Sequence, residues 1–395
     1  MPRLHLRTAG ESHGPAIVAV LHGLPHGLMV SKAAIDADLR RRQLGYGRGG
    51  RMKIERDEVE VLSGLRGGRT LGSPLTMVIR NRDHAKWLDV MDPFAPPTGE
   101  AAAALTRPRP GHVDLAGSLK LGLTDARDVL ERSSARNTAA RVAAGAVARV
   151  LLASCGVELM VHVARIGDVE APSVLREGSA TPEELVAARA RAEASEVRCA
   201  DEAAGQRMVA TIVAAQKDGD SLGGVVEVIA WNVPPGLGSH AEWSERLDGR
   251  LAMALMSIQA IKGCEIGLGF AAAQKRGSEV HDPIFHDGRR FTRPSNRAGG
   301  IEGGITDGEP VVVRAAMKPI PTLARPLPSV DLATRAAFDA QKERTDSCAV
   351  PACGVVAEAA VAFVLADALL DKTGGDTMDE VRARLRAYEE QLGYR

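Results

Sequence analysis

Hydrophobic and polar positions along the chain predict short strands interleaved with helices. Period-two alternation predicts strands over Leu4–Thr8, Ala16–Leu21, Met52–Leu62, Val225–Trp231 and Val311–Met317. The βαβ spacing of a doubly wound parallel sheet is not obvious in this order, so the pattern favours an α+β fold. No Pro/Ser linker or low-complexity tract divides the chain, which is therefore interpreted as a single domain over residues 1–395.

Start and stop signals mark the helices. Ser31 is expected to cap a helix over Ala33–Arg42. An alanine- and valine-rich run that follows Ser133 and Ser134 predicts a long buried helix, and the charged segment Thr181–Glu196 predicts an exposed one. The five-proline stretch from Pro93 to Pro110 is interpreted as a long ordered loop.

Composition excludes several classes of protein. With 45% apolar and 25% charged residues the chain is not disordered. The most apolar segment, Val355–Leu370, carries Glu358 and Asp367, so it is interpreted as a buried helix and not as a membrane span. A polar N-terminus without a signal sequence and an odd count of five cysteines predict a cytoplasmic protein with reduced thiols, among which Cys348 and Cys353 could form a redox pair.

The charge balances overall but not locally. Fifty basic residues match fifty acidic ones, which argues against a nucleic-acid partner. The run Arg40–Arg56 nevertheless holds seven basic residues and one acid, and a second basic knot spans Arg107–His112. Local positive charge on a neutral protein indicates a small anionic ligand.

The glycine loop Gly45–Gly50 matches the G-x-G-x-x-G fingerprint of dinucleotide-binding proteins. Here a helix precedes the loop and a strand follows it, whereas the fingerprint needs the reverse order. An NAD(P)-dependent oxidoreductase that uses this loop is kept as the alternative function. A nucleic-acid module built on Arg40–Arg56 is a weaker alternative, because Tyr46 is the only aromatic residue in that run.

Four short segments combine residue types suited to acid–base chemistry and anion binding. They are Glu11–Gly14, with His13 between glycine-rich flanks; Arg107–His112; Glu131–Arg136, interpreted as the start of a helix; and Arg344–Cys348, with Asp346 two residues after an arginine. Histidines are scattered without a metal-binding spacing, so no metal is expected. These residues by themselves thus predict an enzyme with an anionic substrate and with histidine and aspartate as acid–base groups.

The ordered blocks of the sequence resemble the chorismate synthase family over nearly the whole chain. The blocks are GESHGPAIVAVLHGLP, RRRQLGYGRGGRM, LTRPRPGHVDLAGSLKLG, ERSSARNTAARVAAGAVA, SIQAIKGCEIGLGF, NRAGGIEGGITDGEP, the strand ending in MKPIPT, and RTDSCAVPACGVVAE. The resemblance implies a lyase that removes phosphate and a proton from 5-enolpyruvylshikimate 3-phosphate by anti 1,4-elimination. The product is chorismate, at the last step of the shikimate pathway toward aromatic amino acids. Reduced FMN is required without net redox change.

The resemblance also implies roles for individual residues. His13 would be the general acid for the leaving phosphate, His112 would manage the protonation of the flavin, and Asp346 would accept a proton from it. Substrate anions would be bound by Arg42, Arg48, Arg109, Ser134, Arg136 and Arg344. The flavin would lie against Arg132, Ser133, Ser134, Gln259, Ala260, Gly303, Lys318, Pro319, Ile320, Pro321, Thr322 and Arg344.

Fold and partners follow from the same resemblance as expectations. It implies a helical layer between antiparallel sheets, a β-α-β sandwich, assembled as a homotetramer. Arg42 and Arg48 would also contact NADPH if this enzyme reduces its own flavin; the alternative is an external flavin reductase. No membrane partner is expected.

Overall fold

The structure is a computed structural model that describes residues 3–48, 56–99, 102–175, 179–340 and 346–394. Its helices are α1 Lys32–Gln43, α2 Asp114–Leu121, α3 Arg127–Ser133, α4 Thr138–Ser154, α5 Pro182–Ala194, α6 Glu202–Lys217, α7 Leu247–Met256, α8 Gly277–Val280, α9 Val350–Thr373 and α10 Met378–Gln391. Its strands are β1 His5–Ala9, β2 Ala16–His22, β3 Val59–Ser63, β4 Leu65–Arg66, β5 Arg69–Thr70, β6 Leu75–Arg80, β7 Glu158–Ile166, β8 Val169–Glu170, β9 Gly224–Trp231, β10 Ile261–Ile266, β11 Phe285–His286, β12 Phe291–Thr292, β13 Ile301–Glu302, β14 Ile305–Thr306, β15 Val311–Met317, β16 Pro328–Val330 and β17 Ala337–Asp339.

Two antiparallel sheets form the outer layers. The first has four strands in the order β1-β2-β6-β3, and the second has five in the order β10-β15-β9-β7-β8. The remaining strands of the described residues pair as short hairpins. This topology confirms the α+β prediction. Within the described ranges neither sheet has the parallel strands that a dinucleotide-binding domain needs.

Helices α1, α4, α7 and α9 fill the space between the sheets. Helix α4 packs on β2 and β6 of the first sheet, whereas α9 packs on β7 and β9 of the second, and the two helices contact each other along their length. Gly145 of α4 allows this close approach, since an added Cβ would lie 2.3 Å from the Cβ of Ala359. The expected helical layer between antiparallel sheets is therefore confirmed.

Helix α9 forms the centre of this layer. It is the one helix in the described ranges that is long and apolar enough to cross a membrane. However, 94% of its most apolar 18-residue stretch is buried inside the protein. The sequence prediction of a buried helix is confirmed, although α9 begins at Val350 and so includes Cys353. All five cysteines are free thiols, and burial raises the pKa of Cys348 to about 11 and that of Cys353 to about 12. These thiols are poor candidates for a redox pair.

Most predicted element boundaries hold to within two residues. Ser31 caps α1 by accepting a hydrogen bond from the Ala34 N–H, and β15 has the predicted limits. Two predictions need correction. The strand predicted from Met52 begins at Val59 among the described residues, with residues 49–55 outside them. The helix start predicted within Glu131–Arg136 is instead the end of α3 at Ser133 followed by a 3-10 turn that Ser134 caps, and α4 starts only at Thr138.

An ionic row with two buried members and one partly exposed arginine crosses the outer face of the five-stranded sheet. His162, Glu227 and Arg314 lie side by side on β7, β9 and β15. Glu227 accepts hydrogen bonds from His162 Nε2 at 3.0 Å and from Arg314 Nε at 2.7 Å. Burial opposes ionisation of Glu227, but these two partners outweigh it and lower its pKa to about 2.

Candidate active site

The loop between β1 and β2 positions His13. Gly10 begins this loop at φ +107°, where an added Cβ would lie 2.2 Å from the Ala16 carbonyl oxygen, so the tight turn needs glycine. The next residues are held by α3: the Ser12 N–H donates to the Glu131 carbonyl at 3.0 Å, and the Ser12 and Ser134 hydroxyls are 3.0 Å apart. The loop histidine is therefore fixed by contacts more than 100 residues away along the chain.

The His13 side chain has contacts on its edge and on its face. Its Nδ1 lies 2.7 Å from Glu131 Oε1, and its backbone N–H donates to Glu131 Oε2 at 2.8 Å. The Trp87 ring packs over the imidazole with centroids 4.1 Å apart. His84 donates from Nδ1 to the His13 carbonyl oxygen at 2.8 Å. The motif reasoning found His13 but missed Trp87 and His84, which no spacing in the sequence connects to it.

Ser133 and Ser134, predicted together as an anion seat, have different roles. Ser134 caps the 3-10 turn Ala135–Asn137 by accepting from the Arg136 N–H, whereas the Ser133 hydroxyl donates to the Leu130 carbonyl in the last turn of α3. Arg132 turns toward β1 and donates to the carbonyls of Thr8 and Gly10. The motif thus lies beside the His13 loop and not at the free end of a helix.

Asp57 joins two of the predicted anion-binding arginines. Its Oδ2 accepts from Arg42 at 2.7 Å, and its Oδ1 accepts from Arg136. Arg136 also donates to Asn81 Oδ1 at 2.7 Å, and Arg42 donates to the Thr138 hydroxyl at 3.2 Å. All three charged groups are at most 7% exposed. Asp57 follows the basic run directly, but nothing in the sequence distinguished it from an ordinary surface acid.

The charges in this cluster influence one another. Burial is the largest effect on Arg42; together with the positive charges of Arg136 and Arg48 it lowers the Arg42 pKa, although Asp57 opposes the shift. For Asp57, burial raises the pKa, but Arg42 and Arg136 outweigh it, so the net shift is downward. Asp57 is therefore shared by two guanidinium groups, and this excess of one positive charge gives the cluster positive potential.

Asp346 lies next to the glycine loop. Arg48 Nη1 is 2.7 Å from Asp346 Oδ2, and both side chains keep some exposure, at 14% and 20%. The backbone fixes this pairing, because the Ser347 N–H donates to the Gly47 carbonyl at 2.9 Å. Arg344, predicted for both substrate and flavin, lies outside the described residues. Asp346 thus pairs with Arg48, an arginine from the opposite end of the chain.

His112, the third residue predicted to act in acid–base chemistry, belongs to a compact cluster with Asp114. His112 Nδ1 lies 2.5 Å from Asp114 Oδ1, and Arg109 Nε donates to Asp114 Oδ2 at 2.8 Å. Burial opposes ionisation of Asp114, yet the hydrogen bonds from His112 and Arg109 outweigh it and hold its pKa well below the usual value. Arg109 also reaches the Thr322 hydroxyl at 3.4 Å. Asp114 was not singled out from the sequence, although it follows His112 by two residues.

The predicted flavin segments converge on this cluster. The Lys318 N–H donates to the Ala260 carbonyl at 3.0 Å, and the Lys318 ammonium contacts the Gly111 carbonyl. Pro319, Ile320 and Pro321 connect Lys318 to Thr322. Ser221 donates to the Ile320 carbonyl at 2.7 Å and fixes this stretch. The structure therefore brings Ala260, Lys318–Thr322 and the His112 loop together.

Gly303, also predicted to contact the flavin, lies away from Gln259 and Ala260 in the same chain. It lies in the turn between β13 and β14, where its carbonyl accepts from Arg246, the residue before α7. Gln259 and Ala260 follow the other end of α7. A ten-residue helix separates the two ends by about 15 Å.

The residues present fit a bound flavin. Gln259 Oε1 is buried and has no hydrogen-bond partner among the described residues, so a ligand N–H would satisfy it. Ala260 has the left-handed φ of +68°, a strained conformation that is common at ligand sites. Beside them the Lys318 ammonium provides positive charge for a phosphate.

Histidine–carboxylate pairs surrounded by arginines define an acid–base enzyme for an anionic substrate, built on a β-α-β sandwich. The chain belongs to the chorismate synthase family, whose model matches residues 4–370. It is 57% identical over 392 residues to the chorismate synthase of Desulforudis audaxviator, covering 98% of both chains. It is 55% identical over 390 residues to that of Moorella thermoacetica, covering 98% of this chain and 99% of the relative. A crystal structure of a chorismate synthase superimposes with a TM-score of 0.79 at 43% identity, covering 99% of each chain.

Proposed function

We propose that this enzyme converts 5-enolpyruvylshikimate 3-phosphate to chorismate by anti 1,4-elimination. The C–O bond to phosphate and one C–H bond break, and a new double bond forms between ring carbons. The observation that carries the proposal is the full-length similarity to chorismate synthases together with the His13 loop held between α3 and Trp87. The alternative oxidoreductase is not supported, because the glycine loop follows α1 and both sheets are antiparallel.

His13 acts as the general acid. Its Nδ1 faces Glu131, so the ring transfers protons to a substrate through Nε2. A departing phosphate gains negative charge, which a proton donor stabilises. Arg42, Arg48 and Arg136 supply positive potential for the phosphate and carboxylates of the substrate. Of these three, Arg48 keeps the most exposed side chain, so we assign it the direct substrate contact.

Asp346 and His112 act on the proton that leaves carbon. Asp346 pairs with Arg48, and its second carboxylate oxygen is the acceptor that we assign to this proton. His112 is oriented by the buried Asp114, which fixes its Nδ1. Reduced FMN, when bound, supplies the electron density that this elimination needs. Ser133, Gln259, Ala260 and the segment Lys318–Thr322 would hold it.

The source of the reduced flavin has two alternatives. NADPH would bind at Arg42 and Arg48, of which Arg42 is buried against Asp57. An external flavin reductase is the other source. An anaerobic assay that compares chemically reduced FMN with NADPH plus oxidised FMN separates them, because activity with only the first requires an outside partner.

We further propose a homotetramer in the cytosol. Large apolar side chains on and around α7 are exposed: Trp243 at 82%, Phe270 at 77% and Met253 at 71%. Such side chains mark association surfaces. Contact with another copy of the chain would cover these side chains. It would also bring Gly303 next to the flavin site of that second copy. Sedimentation should give about four times the 41.7 kDa chain mass.

The assignment of His13 is tested with His13→Ala. Chorismate formation with reduced FMN under anaerobic conditions should show a kcat about 100- to 10,000-fold lower, the usual loss for a general acid. Binding of oxidised FMN, followed by fluorescence, should stay within a few fold, because His13 contacts the protein through Glu131 and Trp87. Lost FMN binding with near-normal turnover at saturation would contradict the assignment.

A further inference from the structure

Glu131 makes two contacts with the same residue. The carboxylate is 3% exposed and accepts from the backbone N–H of His13 on Oε2, at 2.8 Å. Its Oε1 lies 2.7 Å from His13 Nδ1. One carboxylate therefore fixes both the backbone and the ring of the proposed acid.

We propose that Glu131 is the positioning residue that keeps the proton of His13 on Nδ1 and leaves proton transfer to Nε2. The inference rests on the proposed role of His13. During elimination the proton passes from Nε2 to the departing phosphate oxygen, which takes the electron pair of the broken C–O bond. The imidazole is then neutral with its remaining proton on Nδ1, so the contact with Glu131 persists before and after the step.

The hydrogen-bond inventory explains why a carboxylate is needed. The backbone N–H can only donate, and Nδ1–H is also a donor, so His13 presents two donors to one side chain. A carboxylate offers acceptors on both oxygens, whereas an amide offers one acceptor and one donor. Only a carboxylate satisfies both contacts while Nδ1 carries a proton.

Other charged and aromatic groups support this orientation. Arg127, one turn earlier on α3, lies 4.0 Å from Glu131 Oε1 and 5.3 Å from the Trp87 ring centroid. Trp87 in turn packs against the His13 ring at an interplanar angle of 31°. His84 holds the His13 carbonyl. Ring rotation that would exchange the two nitrogens is therefore opposed by packing as well as by Glu131.

The variant Glu131→Gln separates this role from a merely structural one. Glutamine keeps the size of glutamate and can still accept from the His13 N–H. Its NH₂ group then faces Nδ1 and must donate to it, which requires an unprotonated Nδ1 and moves the proton to Nε2. The variant should fold, but its amide cannot accept a hydrogen bond from a protonated His13 Nδ1. It should therefore no longer stabilise the doubly protonated imidazole that acts as the acid.

Nitrogen-15 magic-angle-spinning NMR of histidine-labelled protein reads the tautomer directly, with His13→Asn used to assign the signal. In the unmodified protein, at a pH where the ring is neutral, His13 should show a protonated Nδ1. In Glu131→Gln it should show a protonated Nε2. A protonated Nε2 in the unmodified protein overturns the proposal, and this spectrum decides even if the variant fails to fold.

Kinetics supply the second readout. Glu131→Gln should lower kcat by about 100-fold or more with reduced FMN, while KM changes by less than about threefold. The control is Asp128→Asn, the same carboxylate-to-amide change at an exposed position of α3, which should leave both parameters unchanged. A normal kcat in Glu131→Gln overturns the proposal. If the unmodified enzyme forms no chorismate, the proposed function fails, but the tautomer measurement still tests Glu131.

Discussion

Asp57 is the residue whose loss should disturb the fold around the arginine cluster most. Each of its oxygens serves a different guanidinium: Oδ2 accepts from Arg42 and Oδ1 from Arg136. In Asp57→Asn one oxygen becomes an NH₂ group, which cannot accept from an arginine. The variant thus leaves one buried guanidinium facing a donor and removes the negative charge that balances both.

The magnitude follows from burial. Asp57 is 1% exposed, and Arg42 and Arg136 are 5% and 7% exposed, so solvent compensates little. Breaking a buried ion pair by removing one partner costs about 3 to 5 kcal/mol. At roughly 2.1 cal/mol/K of unfolding entropy per residue, a chain of 395 residues loses about 1.2 °C of Tm per kcal/mol of destabilisation. The Tm of Asp57→Asn should therefore fall by about 4 to 6 °C at neutral pH.

The pH dependence supplies a second signature. Because Asp57 has a lowered pKa in the folded state, its stabilising contribution is complete above the unfolded value of 3.8 and is lost as pH falls through the folded value. The Tm difference between the two proteins should be constant from pH 8 to about pH 5 and should shrink below about pH 4. Differential scanning calorimetry over this range measures it.

Glu58→Gln is the matched control. Glu58 is the next residue, its side chain is 51% exposed, and it lies 3.7 Å from Arg56. Exposed pairs contribute little, so this Tm should change by less than about 1 °C. An equally small change in Asp57→Asn at pH 7, or a deficit that does not depend on pH, would refute the reasoning.

Three further predictions concern other parts of the protein. Arg48→Lys should raise KM for the substrate about 10- to 150-fold, because lysine lacks the planar guanidinium that binds an anion through two hydrogen bonds. An unchanged KM would show that Arg48 pairs with Asp346 but does not contact the substrate. Asp346→Asn should still bind FMN and substrate but form chorismate at least about 100-fold more slowly in the anaerobic assay, and turnover within a few fold would rule out its role as base. Glu227→Gln should lower the free energy of unfolding by about 1 to 3 kcal/mol in urea titrations, since the buried His162 and the partly exposed Arg314 then compete for one acceptor oxygen. Because the Glu227 pKa falls from 4.5 to about 2 on folding, this difference should persist above pH 4.5 and diminish toward pH 2.

The sequence alone determined the elements whose signals are local. Ser31 and the apolar period after it defined α1, and alternation defined β9 and β15, because capping and periodicity depend on residues a few positions apart. The ordered motifs also identified the family and the residues His13, His112 and Asp346 as acid–base candidates. The helix start predicted at Glu131–Arg136 was wrong, because a single turn between two helices has no strong sequence signal.

The tertiary structure decided which partner each of these residues has. Glu131 lies 118 residues from His13 along the chain, and Asp57 lies 79 residues from Arg136. Such contacts depend on how helices and sheets pack, and no spacing in the sequence encodes them. Asp57 therefore looked like a surface acid, although burial between two arginines makes it the centre of an ion-pair cluster. Pattern and periodicity reveal which side chains can do chemistry, whereas packing determines what surrounds them and hence their charge and orientation.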